Sequence, residues 1–184
     1  IGRQINDAGQ GAGTSITPGG EPHAFLYRNA RMTDLWTLGG KFSDRASLNK
    51  SGQVTGWSAA TDAAGDDHAF LYGDGQMTDL GTLGGMFSYG AAINRSGQVT
   101  GYAETASGAI HAFVFRYGRM LDLNELICAP DLVLHSGNSI NDRGQIVAQA
   151  FTASGDEHAV LVTPISTLFS DLTRRSRGVG PGKG

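Results

Sequence analysis

The sequence predicts an all-β chain, a four-bladed propeller-like array of four-stranded antiparallel repeats, and three observations predict it. First, His23-Ala-Phe-Leu-Tyr27, His68-Ala-Phe-Leu-Tyr72, His111-Ala-Phe-Val-Phe115 and the weaker His158-Ala-Val-Leu-Val162 recur at spacings of 45, 43 and 47 residues, the period of propeller blades and other stacked units. Second, 28 of the 184 residues are glycine, about twice the ordinary share of roughly 7%. With proline at only 5, that excess fits tight turns between short strands rather than a disordered tract. Third, no capped segment places apolar residues at the i, i+3, i+4, i+7 spacing of an amphipathic helix.

Each repeat reads as a meander, strand by strand. Ile5-Asn-Asp-Ala-Gly-Gln10, Leu48-Asn-Lys-Ser-Gly-Gln53, Ile93-Asn-Arg-Ser-Gly-Gln98 and Ile140-Asn-Asp-Arg-Gly-Gln145 share an apolar-Asn-x-x-Gly-Gln pattern. Asn6, Asn49, Asn94 and Asn141 are turn formers: the side chain bonds forward to the backbone, and the glycine three residues later accepts positive φ. A hairpin with a three- to four-residue connection follows. Small-residue loops (Thr17–Gly20, Asp62–Gly65, Thr105–Gly108, Thr152–Gly155) then turn the chain into the His-Ala-Phe strand. That strand pairs with Met32-Thr-Asp34, Met77-Thr-Asp79 or Met120-Leu-Asp122 across a second hairpin. Asp74-Gly75 and Tyr117-Gly118 suit a type I′ turn, whereas Asn29-Ala30 predicts a different turn type, because alanine fits positive φ poorly. In the fourth repeat Pro164 falls on the turn and breaks this hairpin.

These strands add to fifteen, and Leu168-Phe-Ser-Asp-Leu172, which echoes Met-Thr-Asp-Leu, is the candidate sixteenth. Pairing it beside the N-terminal strands would close the ring and remove the open sheet edges, a reading in which the chain is a monomer. The expected domain covers residues 1–172, in units of about 1–35, 36–80, 81–123 and 124–172. Residues 173–184, with four cations and no acid, read as a disordered basic tail. The formal charge of −3 gives no footprint for nucleic acid or an anionic membrane, and no apolar run approaches the ~18 residues of a membrane-spanning helix. A single cysteine, Cys128, excludes an intrachain disulfide.

His-Ala-Phe-Leu-Tyr, Met-Thr-Asp-Leu-Gly-Thr-Leu-Gly-Gly, Ala-Ile-Asn and Gly-Gln-Val-Thr-Gly resemble the HAF repeat, a bacterial repeat family, over roughly residues 3 to 164. The resemblance implies secretion or surface display and an array that finishes near Gly184, and it carries no catalytic motif. The expected function is therefore a non-enzymatic interaction scaffold, without cofactor or metal, that meets a protein or glycan at the cell surface. A lectin-like module is the alternative, and a hydrolase is a remote one.

The candidate chemistry divides into repeated and singular residues. His23, His68, His111 and His158 would suit a metal only if a closed ring brought them together; the reading taken is that each opens a strand and donates to a backbone carbonyl at the turn. Asp34, Asp79 and Asp122 are expected to accept hydrogen bonds from the connector that follows each. Function is sought where repeats disagree. Trp36 replaces Gly81 of the next connector, and Trp57 stands where Tyr102 does; both are candidate sugar or partner contacts, with Trp57 also suiting a core position. Asp66 and Asp67, with Asp62, form an acidic loop of the kind that holds calcium, but without a full ligand set. Cys128, Asp131 and His135 fall in the aberrant third connector, where a Cys–His pair is set against the plainer reading of Cys128 as a buried small hydrophobe.

Overall fold

The computed structural model describes residues 1–61 and 66–165, and among them are fifteen strands and no helix. They form four antiparallel sheets, each laid down in chain order. Sheet one holds β1 (Gly2–Ile5), β2 (Gly11–Ile16), β3 (Pro22–Arg28) and β4 (Arg31–Asp34). Sheet two holds β5 (Ser43–Leu48), β6 (Val54–Ala59), β7 (Asp67–Gly73) and β8 (Gln76–Asp79). Sheet three holds β9 (Gly84–Ile93), β10 (Val99–Thr105), β11 (Ile110–Arg116) and β12 (Arg119–Asp122), and sheet four holds β13 (Leu132–Ile140), β14 (Ile146–Thr152) and β15 (Glu157–Val162). The expected closing strand, Leu168–Leu172, lies outside the described residues. Sheet one already has four strands of its own, so among the described residues the place left open in the repeat pattern is the fourth of sheet four.

The repeated turns do what their residues dictate. Asn49 N donates to Gln53 O (3.0 Å), Asn49 Oδ1 accepts from Ser51 N (2.9 Å) and Gln53 N (3.0 Å), and Gly52 sits at φ +81°. The second hairpins are alike in all three sheets that possess one: the central residues Asn29 and Ala30, Asp74 and Gly75, and Tyr117 and Gly118 all have positive φ. The expectation of a different first turn is therefore corrected. The four ladder pairs from Phe25↔Asp34 to Arg28↔Arg31 impose the register, and Ala30 takes φ +57° to meet it.

Packing between sheets uses the two faces of each strand differently. Ala24 and Leu26 of β3 pack with Leu48, Val54, Phe70 and Tyr72 of sheet two, and the alternating residues Ala69 and Leu71 of β7 turn to sheet three. The same exchange joins Ala112 and Val114 of sheet three to Ile146, Ala148 and Val160 of sheet four. Gly56 lies directly across from Phe70 and Gly101 from Phe113, and a Cβ on either glycine would stand 3.0 Å from the aromatic ring. Sheet four has Ala148 opposite Val160, so a smaller side chain admits a larger partner.

The first strands converge. Ile5, Leu48, Ile93 and Ile140, with the turns that follow, line one central cavity of about 240 Å³, which makes the array radial. A ladder runs around it: Asn6 Nδ2 donates to Asn49 O (3.0 Å), Asn49 Nδ2 to Asn94 O (2.9 Å) and Asn94 Nδ2 to Asn141 O (3.0 Å). Asn141 ends the series, its Nδ2 donating to Gln145 Oε1 (2.8 Å). Among the described residues the ladder does not return to Asn6, and the outer faces of sheets one and four carry no neighbouring sheet. Ile5 is accordingly 73% exposed where Leu48 is 2%, and Leu161 is 62% exposed where Val114 is 6%. The described residues form an open arc.

Candidate binding site

The repeated histidines and aspartates find each other. His23 Nδ1 meets Asp34 (2.9 Å), His68 Nδ1 meets Asp79 (2.8 Å) and His111 Nδ1 meets Asp122 (2.6 Å). The expected backbone-carbonyl partner is thus replaced by a carboxylate from the same hairpin, because strand alternation sets both side chains on one face. The carboxylates also accept from the connector, as expected: Trp36 N reaches Asp34 Oδ1 (2.8 Å), Gly81 N reaches Asp79 Oδ1 (2.7 Å) and Asn124 N reaches Asp122 Oδ1 (2.8 Å). Ser43, fully buried, accepts from Ala24 N (2.9 Å) and donates to Trp36 O (2.6 Å), tying sheet two to sheet one; Ser88 repeats this at the next junction. These groups are consumed in holding repeats together. His158, with no aspartate eleven residues on, is exposed. Among the described residues no three His, Cys, Asp or Glu side chains group as a metal site.

The singular residues fare unevenly. Trp36 is exposed at φ +63°, its ring tilted against His23 with centroids 6.3 Å apart. Cys128 is exposed, correcting its expected burial, because the third connector runs over the surface. It lines a shallow cavity of about 350 Å³ with His111 and Asn124, and His135 is not part of that lining. His135 packs edge-on against Phe151 (5.5 Å), its Nδ1 without a hydrogen-bond partner, so the two members of the supposed nucleophile pair have separate surroundings. Asp131 is exposed. Of the acidic loop, Asp62 lies outside the described residues. Asp66 accepts from Thr61 Oγ1 (2.7 Å) and faces His68 Nε2 (3.4 Å), whereas Asp67 accepts from Tyr89 (3.1 Å). Each acid therefore has its own partner.

That last contact leads to the site. Tyr89 is the centre of an aromatic group: Trp57 meets it edge-on (5.6 Å, 72°), Phe87 is tilted (5.6 Å), and Tyr102 lies across the ladder (5.0 Å, 32°). Trp57 is half-buried here and not a core residue. Burial, followed by the Asp67 carboxylate, pushes the Tyr89 hydroxyl up to about 12, so it stays a proton donor to Asp67. Tyr89 and Tyr102 line, together with Arg3, Gln4, Arg45 and Ser47, a cavity of about 310 Å³. Gln4 Oε1 accepts from Ser47 Oγ (2.9 Å) and Leu48 N (2.8 Å), which fixes β1 against β5.

Charge in this cavity is unevenly paired. Arg3 contacts Asp44 (3.3 Å). Burial alone would raise the Asp44 carboxyl, but hydrogen bonds from Thr14 Oγ1 and Arg45 N together with the Arg3 guanidinium outweigh it and hold the group below the usual carboxylate range. Arg45 has no carboxylate within ion-pair distance among the described residues. Its backbone is at φ +57°, a conformation costing an L-residue about 1 kcal/mol. The aligned positions hold Gly2, Gly90 and Gly137; a Cβ at Gly90 would strike Thr55 Oγ1 and one at Gly137 would strike Thr100 Oγ1. In the repeat alignment Ala12 stands where Thr55 and Thr100 do. Arg3, Arg45, Tyr89 and Tyr102 were not singled out in the sequence. The signal that finds them is Arg45 at a position where the other repeats have glycine.

No family model matches the chain, and no curated protein matches it. Among solved structures, it is similar to a proposed TolB from Agrobacterium tumefaciens, at 13% identity and a TM-score of 0.49, covering 86% of this chain and 64% of that one. The chain thus spans less than two thirds of the length of that protein.

Proposed function

We propose that this chain is a non-enzymatic binding scaffold, secreted or surface-displayed as its resemblance to the HAF repeat implies, that recognises an acidic segment of a protein partner at the Arg45 cavity. The observation that carries this reading is Arg45 itself: a guanidinium with no carboxylate partner among the described residues, held in a strained backbone conformation at the cavity that Tyr89 and Tyr102 also line. Strain retained where every other repeat avoids it is a mark of function rather than of folding. A guanidinium binds a carboxylate through paired N–H donors, and a flat aromatic wall beside it favours an acidic group carried on an apolar or ring-bearing neighbour.

A glutamate-rich peptide containing tyrosine, titrated calorimetrically, tests the reading. Binding should weaken about 10- to 100-fold in Arg45→Gln, the loss of a charge-assisted hydrogen bond worth about 1.5–3 kcal/mol. Equal affinity in wild type and Arg45→Gln would refute it. A carbohydrate reading is favoured by one feature, the Tyr89 and Tyr102 rings inclined at only 32° as a platform for a sugar face. An oligomeric uronic acid that binds while the peptide does not, and loses affinity in Tyr102→Ala, would select that reading.

A further inference from the structure

The three junctions inside the arc are built the same way, and the described residues leave one unused half of such a junction at each end of the arc. In every internal junction the preceding sheet offers the alanine and the aliphatic residue of its His-Ala-Phe strand, and the following sheet offers the aromatic or branched residues of the alternate face. Among the described residues no sheet packs on the outer face of sheet one, so Phe25 is half-buried and Tyr27 exposed at the places that Phe70 and Tyr72 fill against sheet one itself. Among the described residues no sheet packs on the outer face of sheet four, and Ala159 and Leu161 are exposed at the places where Ala24 and Leu26 are buried. Val147 adds to that face, 45% exposed where Thr100 is fully buried.

We propose that these faces dock head-to-tail between copies of this chain, the sheet-four face of one copy seating on the sheet-one face of a second. The occupant is argued from the molecule's own junctions: each open face matches in residue type the half of an interface that the chain makes three times, and a second copy presents the complementary half. The contact is heterologous, joining different patches on the two copies, so it continues until a ring closes or a chain of copies forms. The Asn ladder points the same way, since Asn141 Nδ2 stands at the end of one copy and the Asn6 turn at the start of the next.

Sedimentation velocity on the full chain is the test. Wild type should sediment at twice the single-chain mass or more, rising with concentration. Tyr27→Asp and Leu161→Asp, at opposite ends, should each sediment as a single chain. Mixed in equal amounts they should return a species of two chains and nothing larger, because one sound sheet-four face then meets one sound sheet-one face. A wild type that stays a single chain at every concentration, as ring closure through Leu168–Leu172 would require, overturns the proposal. So does a mixture that remains single chains, or a Tyr27→Asp variant that still assembles. If Tyr27→Asp fails to fold by circular dichroism, Met32→Lys, on the same sheet and 54% exposed, takes its place with the same expected outcomes.

Discussion

Asn49→Ala and Asn141→Ala remove the same side chain from the same turn, and the structure predicts that they differ by about 2 kcal/mol in stability. Each asparagine satisfies two backbone amides of its own turn and the glutamine that follows, and loss of those bonds costs both variants about 1–2 kcal/mol. Asn49 alone also donates to the next turn, at Asn94 O, a bond worth about 1 kcal/mol. It is 4% exposed, so its truncation leaves a void among buried groups and costs about another 1 kcal/mol, whereas water replaces the exposed Asn141. Urea unfolding in dilute solution, where copies are apart, measures the difference: with a slope near 2 kcal/mol/M it appears as about 1 M between the two midpoints. Equal midpoints would mean that the ladder contributes nothing beyond the local turn. Asn49→Asp sharpens the test, because it keeps the acceptor for Ser51 N and Gln53 N yet sets a carboxylate against Asn94 O.

Four further outcomes follow from the site and the turns. Tyr89→Phe should delete the most alkaline step of the tyrosine absorbance titration, the one near 12; since burial and Asp67 raise this group in the folded state, its contribution to stability is complete below the ordinary tyrosine value of about 10 and fades as pH climbs toward 12. Asp44 has the opposite sign. Its folded value is depressed, so its contribution is present above the unfolded carboxyl range and lost as pH falls through the folded value, and the gap in unfolding midpoint between wild type and Asp44→Asn should narrow on acidification. Ala30→Gly should raise the urea midpoint by the equivalent of about 0.5–1 kcal/mol, because relief of the positive φ exceeds the added freedom of the unfolded chain; an unchanged midpoint would show that the turn bears no strain. Cys128 should react with a thiol reagent in the absence of denaturant, and reaction only on unfolding would contradict its exposure.

How much of this was legible depends on whether a feature repeats. The Asn-x-x-Gly-Gln turns, the four-strand meander and the acceptor role of Asp34, Asp79 and Asp122 could be read because local chemistry alone determines them, and each is stated several times. The partner of His68 was misread because strand alternation, not proximity to the turn, brings it to Asp79 eleven residues on. Ala30 was misread because propensity was weighed without the register that overrides it. Cys128 was misjudged from its apolar neighbours, which says nothing about whether a connector is covered. The cavity could not be read from any one repeat, since Arg3, Arg45, Tyr89 and Tyr102 come from three sheets.

The convergence of those exceptions is the strongest argument that the cavity is functional. Arg45 departs from glycine, Tyr89 stands where Asp44 and Ser136 do in the neighbouring repeats, and Trp57 and Tyr102 stand where sheet one has Thr14 and sheet four Gln149. If each substitution were drift on a tolerant surface, the departures would scatter over the arc as Trp36 and His135 do. Instead Arg45, Tyr89 and Tyr102 line one cavity, and Trp57 packs against Tyr89. A repeat array is selected for sameness at its junctions, because each sheet must present one face to its predecessor and another to its successor. Several departures around a single cavity, one of them a strained cation, are what the proposed recognition role would require of a scaffold made of equal parts.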